Sequence, residues 1–88
     1  MEVTFDKSFG KCLDKINSKI LQNKIEKTII NCEEAATPND IPNLKKKIGY
    51  KNYYRIKIGD YRIGIEIVDN NIDFLIIAHR KDIYKIFP

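Results

Sequence analysis

The alternation of apolar and polar residues is sharpest between Tyr53 and Ile67. Tyr54-Arg55-Ile56-Lys57-Ile58 and Tyr61-Arg62-Ile63-Gly64-Ile65-Glu66-Ile67 each read as a strand with one buried face, because successive side chains point to opposite sides of a sheet. Gly59-Asp60 between them is a glycine-first loop suited to a type II′ hairpin turn. Such a turn sets the register: Ile58 faces Tyr61, Lys57 faces Arg62, Ile56 faces Ile63, Arg55 faces Gly64 and Tyr54 faces Ile65. One face of the hairpin is then apolar, running from Tyr54 to Ile67. The other carries Tyr53, Arg55, Lys57, Arg62, Gly64 and Glu66.

Beyond the turn residues Asp69-Asn70-Asn71, the run Ile72–Ala78 predicts a third antiparallel strand with Ile72, Phe74, Ile76 and Ala78 in the core. The same parity sends Asp73, Leu75, Ile77 and His79 to the cationic face. The single histidine is thus expected close to Arg62, with Arg80 immediately after it.

Upstream the period changes. Glu2–Phe5 is a short alternating segment, an edge or partner strand, and Asp6 is a suitable helix N-cap. Phe9, Cys12, Leu13 and Ile16 then recur at helical spacing, as do Leu21, Ile25, Ile29 and Cys32 in a second helix reaching about Ala35. With a turn near Asn17-Ser18 the two form an antiparallel hairpin, whose apolar stripe the isoleucine face of the meander can cover. Thr37–Pro42, with its two prolines, is a loop. The Lys45-Lys46-Lys47 cluster that follows reads as loop surface that extends an electropositive region. The predicted fold is α+β in the order β-α-α-β-β-β, a helical hairpin on a twisted, mainly antiparallel sheet, with residues 1–88 forming a single domain.

Composition adds bounds. A chain of 88 residues supports one modest core, and its 43% hydrophobic and 32% charged content fit a soluble globular protein. No apolar run nears the ~20 residues of a membrane span, and the amino terminus lacks a basic-then-apolar signal layout, so a cytoplasmic location is expected. The two cysteines do not suggest a bridge. In a hairpin turning near Asn17-Ser18, Cys12 lies opposite about residue 23, leaving Cys32 on the order of 13 Å further along at the helical rise. Both read as small core residues, and with one distant histidine they make no zinc spacing.

Charge is more informative in its distribution than in its net value of +4. Residues 1–42 carry six lysines against seven acids, and residues 43–88 carry seven lysines and three arginines against five acids. All three arginines, Arg55, Arg62 and Arg80, fall in the meander, and arginine is the better bidentate phosphate ligand. Lys57 opposite Arg62 is a like-charge cross-strand pair, which costs a few tenths to ~1 kcal/mol and argues for an anionic partner. Gly64 in mid-strand weakens the strand and leaves room for something to approach the backbone. The face offers cations, one imidazole and tyrosines, but no carboxylate pair, metal cluster or Ser-His-Asp set. Such a group fits cleavage of RNA by its own 2′-hydroxyl, with a base for the hydroxyl proton, cations for the phosphorane and an acid for the leaving oxygen. That chemistry requires no cofactor.

The pattern Tyr-x-Arg-Ile-x-x-Gly-Asp-Tyr-Arg-Ile from Tyr53 to Ile63, followed by His79-Arg80-Lys81-Asp82-Ile83-Tyr84, resembles the RelE/ParE superfamily of type II toxin–antitoxin toxins, the RelE-like branch being the nearer. The resemblance spans essentially the whole chain. It implies a ribosome-dependent mRNA endoribonuclease that inhibits translation, with a cognate antitoxin, the ribosome and mRNA as partners and no cofactor. It further implies phosphate and transition-state contacts from Lys57, Arg62 and Arg80. Tyr84 is expected to stack on a base or to share proton transfer with His79, with Arg55, Lys45, Lys46, Lys47 and Tyr53 on the RNA. Which residue is the base and which the acid stays open. So do two alternatives, a ParE-like inhibitor of DNA gyrase and a catalytically silent member that only binds an antitoxin.

Overall fold

A computed structural model describes residues 1–88. The chain runs β1 (Glu2–Phe5), α1 (Lys7–Asp14), α2 (Lys19–Glu34), a 3-10 turn (Pro38–Asp40), β2 (Leu44–Lys46), β3 (Tyr53–Ile58), β4 (Tyr61–Val68), β5 (Asn71–His79) and α3 (Ile83–Ile86). The five strands form one sheet in the order β1-β5-β4-β3-β2. All neighbours are antiparallel except β1, which pairs parallel with β5 after the helical hairpin has carried the chain over one face. No helix is long and apolar enough to cross a membrane.

Local chemistry accounts for the element ends. Asp6 caps α1, its carboxylate accepting from the Ser8 amide at 3.0 Å, and Ser18 Oγ caps α2 by accepting from the Leu21 amide at 3.2 Å. The two Ser8 hydrogen bonds hold the Asp6 carboxyl below its usual range. Gly59 takes φ +56° while Asp60 stays at negative φ, as a glycine-first hairpin turn demands. The hairpin register is the expected one throughout, including Lys57 opposite Arg62 and Arg55 opposite Gly64.

Beneath the helices the core joins Phe9, Leu21, Ile25 and Cys32 to Ile56, Ile58, Ile63, Ile65, Ile67, Ile72 and Phe74. Phe9 and Phe74 meet edge to face at 5.3 Å, with Phe5 alongside both. Both cysteines are free thiols, Cys32 buried and Cys12 half-buried.

The sheet departs from the expected parity in β5. Ile65 pairs with Phe74 but Gly64 pairs with Ile76, so Leu75 is an extra residue in a β-bulge. Beyond the bulge every side chain changes face. Ile77, opposite Ile63, enters the core at 4% exposure, whereas Ile76 and Ala78, expected there, lie opposite Gly64 and Arg62 on the other face. His79 is corrected with them: it lies opposite Tyr61, rings 5.6 Å apart, on the helix-covered side rather than beside Arg62. The bulge is built in, since the carbonyl of Leu75 accepts from Ser8 Oγ at 2.6 Å and that of Phe74 from the Asp6 amide at 2.8 Å.

Two elements extend the expected order. Leu44–Lys46, read as loop, is an edge strand with Leu44 opposite Ile56, Lys45 opposite Arg55 and Lys46 opposite Tyr54. Lysine on such an edge also deters further strand pairing. After β5, the single turn α3 returns to the sheet and buries Ile83 and Phe87.

Candidate nucleic-acid interface

The sheet face away from the α1–α2 hairpin holds a concave pocket of about 370 Å³ lined by Asn43, Leu44, Lys45, Arg55, Lys57, Arg62 and Tyr84. Four of these seven are cations and none is acidic. The cations come from three adjacent strands: Lys45 from β2 faces Arg55 on β3, and Lys57 faces Arg62 on β4. Alternation alone brings them together, because each occupies the outward parity of its strand.

Their side chains are held to different degrees. Arg62 Nη1 donates to the carbonyls of Gly59 and Tyr61, both at 2.9 Å, which ties the guanidinium to the hairpin turn. Nε and Nη2 keep donors for an anion. Arg55 lies over the ring of Tyr84, its Cζ 4.7 Å from the centroid. Lys57 is exposed, and its amide donates to Asn43 O at 3.2 Å, joining β3 to the left-handed turn at Asn43, φ 62°. Lys57 also lines a second cleft along α2 that contains Lys24 and Lys27.

The remaining expected site residues are dispersed. Arg80 is exposed and does not line the pocket, but its amide donates to Asp60 O at 2.7 Å. That bond continues the β4–β5 ladder one residue past His79 and gives Arg80 the outward parity of Arg62 and Ala78. The bulge thus exchanges the two neighbours, His79 leaving the cationic face and Arg80 joining it. His79 Nδ1 accepts from the Lys81 amide at 3.2 Å, which leaves Nε2 as the free nitrogen. Lys47 shares the outward parity through its amide bond to Tyr53 O at 2.9 Å, while Lys46 has the opposite parity and stands exposed at the sheet edge. Tyr53 packs between Tyr50 and Phe87 at 5.8 and 5.3 Å, so its ring is part of an aromatic row rather than a free stacking platform. Sequence reasoning missed Asn43 and Leu44, whose place depends on the unexpected β2.

Acids sit at the far end of the same face. Glu66 pairs with Tyr53 and Asp73, and Asp73 Oδ1 accepts from Thr4 Oγ1 at 2.9 Å. The face is therefore polarised along its strands, cationic toward the Gly59 turn and acidic toward the Asp69 turn. An anionic chain is favoured over one end only.

A sheet of this order under a helical hairpin, with a cation-lined outer face, defines a class. A family model described as the ParE toxin of the type II toxin-antitoxin system parDE matches residues 3–84. Toxin RelE3 of Methanocaldococcus jannaschii is 43% identical over 89 aligned residues, covering 100% of both chains. The crystal structure of the RelB–RelE antitoxin–toxin complex from Methanococcus jannaschii matches with a TM-score of 0.82 and 39% identity, over 97% of this chain and 99% of that one. The archaeal RelE–RelB complex from Pyrococcus horikoshii OT3 shares the fold, with a TM-score of 0.73 at 23% identity, over 90% of this chain and 93% of its counterpart. The chain belongs to the RelE/ParE superfamily of type II toxin–antitoxin toxins. Although the family description carries the ParE name, the relatives at 43% and 39% identity carry the RelE name.

Proposed function

We propose that this chain is the toxin of a type II toxin–antitoxin pair and that it inhibits translation by cleaving mRNA on the ribosome. The observation that carries the reading is the acid-free pocket in which Lys45, Arg55, Lys57 and Arg62 converge beside Tyr84. An isolated cluster of like charges on one face destabilises the sheet unless an anion shares it, and a phosphodiester is the anion that matches arginine forks. Residues 1–88 work as one domain in this reading.

The reaction follows from what the pocket contains. The 2′-oxygen attacks the adjacent phosphorus and gives up its proton, the phosphorus–O5′ bond breaks, and the 5′-oxygen takes a proton. The products are a 2′,3′-cyclic phosphate and a 5′-hydroxyl. Arg62, anchored to the turn, and Lys57 meet the charge that grows on the non-bridging oxygens. Arg80 extends this contact along the backbone. Tyr84, 68% exposed over Arg55, presents a ring for a base and a hydroxyl for the proton leaving or entering. His79 falls outside this set because of the bulge. With no imidazole or carboxylate lining the pocket, orientation must contribute much of the rate, and a ribosome holding the mRNA in line can supply several kcal/mol.

RNA rather than DNA is required because only RNA carries the attacking hydroxyl. The second basic cleft, with Lys24 and Lys27, gives the RNA or ribosomal backbone a path beyond the pocket. The antitoxin partner is an acidic, amphipathic protein that covers the cationic pocket or displaces the Tyr84 turn. Purified chain added to programmed ribosomes tests the reading. Cleavage of ribosome-bound mRNA with cyclic-phosphate ends, and little of the same RNA free in solution, is expected. Equal cleavage of free RNA makes it a general ribonuclease, and no cleavage with inhibited gyrase supercoiling makes it the ParE-like alternative.

A further inference from the structure

Gly64 and Phe87 form a seat that the proposed chemistry does not use. Gly64 lies in mid-strand on the outer face, opposite Arg55 of β3 and Ile76 of β5. A Cβ at this position would stand 2.7–2.8 Å from Cδ1, Cε1 and Cγ of Phe87, far inside carbon contact distance. The φ of Gly64 is not positive, so space alone demands a glycine here. The Phe87 ring fills the slot that a side chain would occupy and also meets Tyr53 at 5.3 Å.

The turn that carries Tyr84 has little hold of its own. The α3 helix has four residues, Asp82 gives it no side-chain cap, and one helical turn is unstable alone. Its anchors are Ile83 at 0% and Phe87 at 8% exposure, linked by the Phe87 amide to Ile83 O at 3.0 Å. Tyr84 lies between them, exposed, its one aromatic contact the guanidinium of Arg55. An exposed cation–π pair is too weak to hold two long side chains against their rotamer entropy.

We infer that Phe87, seated over Gly64, is a positioning residue that holds Tyr84 against Arg55, and that residue 64 is glycine to admit this ring rather than RNA. The part concerning cleavage rests on the function proposed above; the seat itself does not.

NMR on the full chain separates the two. One Gly64 Hα is shifted upfield by the Phe87 ring, and the Arg55 δ and ε protons by the Tyr84 ring. In Phe87→Ala and in Gly64→Ala, the Arg55 shifts should collapse toward those of a free arginine while the amides of Ile25 and Ile72, core residues away from the seat, keep their positions. In Tyr84→Ala the Arg55 shift should vanish but the Gly64 shift remain. Phe87→Leu, which keeps an apolar anchor, guards against loss of fold, and in the Gly64→Ala background the smaller ring-free side chain should restore part of the Arg55 contact region and part of the activity. On programmed ribosomes, Phe87→Ala should lower kcat by about a hundredfold with KM little changed. Unchanged Arg55 shifts in Phe87→Ala overturn the inference whether or not the chain cleaves RNA. Collapsed shifts with wild-type kcat overturn the positioning role. A wild-type chain that cleaves nothing defeats the proposed function, and the seat is then judged by the shifts alone.

Discussion

Lys57 and Arg62 face each other across β3 and β4, yet removing them has different consequences. Lys57 is exposed and relieves a like-charge pair when lost, so Lys57→Ala should leave stability within about 0.5 kcal/mol of wild type or raise it slightly. Arg62 also closes the hairpin turn through two backbone carbonyls, so Arg62→Ala should cost ~1 kcal/mol and lower Tm by several degrees. Both should lower activity by about a hundredfold or more while the circular dichroism spectrum stays native. Full toxicity in both variants would show that the pocket is not where chemistry occurs. At the same scale, burial pushes the Cys32 thiol up to about 11 from 9.0. The folded state then holds a proton that the unfolded state releases, so this contribution is complete below about pH 9 and is lost as pH rises toward 11. Urea midpoints across that window should fall less steeply for Cys32→Ala. Thiol titration of the native protein near neutral pH should label Cys12 first, with Cys32 reacting only on unfolding.

At the scale of elements, the hairpin was legible because its register depends only on Gly59-Asp60 and strict alternation, both local properties. The bulge in β5 was not. Ile72–Ile77 is apolar at every position but Asp73, so either parity buries isoleucine and the pattern cannot report where it slips. What selects the observed register is remote: Ser8, at the start of α1, supplies the hydroxyl that satisfies Leu75 O. Removing that partner leaves a part-buried carbonyl unsatisfied, so Ser8→Ala should cost about 1–2 kcal/mol. The changed parity gives a sharper test: Ile77→Ala should cost ~2–5 kcal/mol and Ile76→Ala distinctly less, in equilibrium urea melts. The opposite order would restore uninterrupted alternation and return His79 to the cationic face. The β2 strand is not legible because three residues are too few to show a period, nor is α3, whose stability comes from buried Ile83 and the seat under Phe87 rather than from propensity.

For the whole molecule, the charge asymmetry between the two halves of the sequence becomes a polarised sheet face, cations toward the Gly59 turn and acids toward the Asp69 turn. Four lining cations imply that binding of an RNA with a 2′-deoxy nucleotide at the cut site should weaken steeply with salt. A slope of log K against log salt of about −3 is expected, and Lys45→Ala should reduce its magnitude by roughly 0.7. Apolar and polar patterning disclosed that face, but what it acts on is a property of the complex it enters. On the proposed function, this face cuts mRNA under translation. The most direct measurement is brief induction of the chain in cells followed by mapping of 5′-hydroxyl RNA ends, with one message carried in translated and untranslated copies. New ends within the translated frame, absent from the untranslated copy and from cells expressing Arg62→Ala, are predicted. Growth arrest with no new 5′-hydroxyl ends, or equal cutting of both copies, would contradict it.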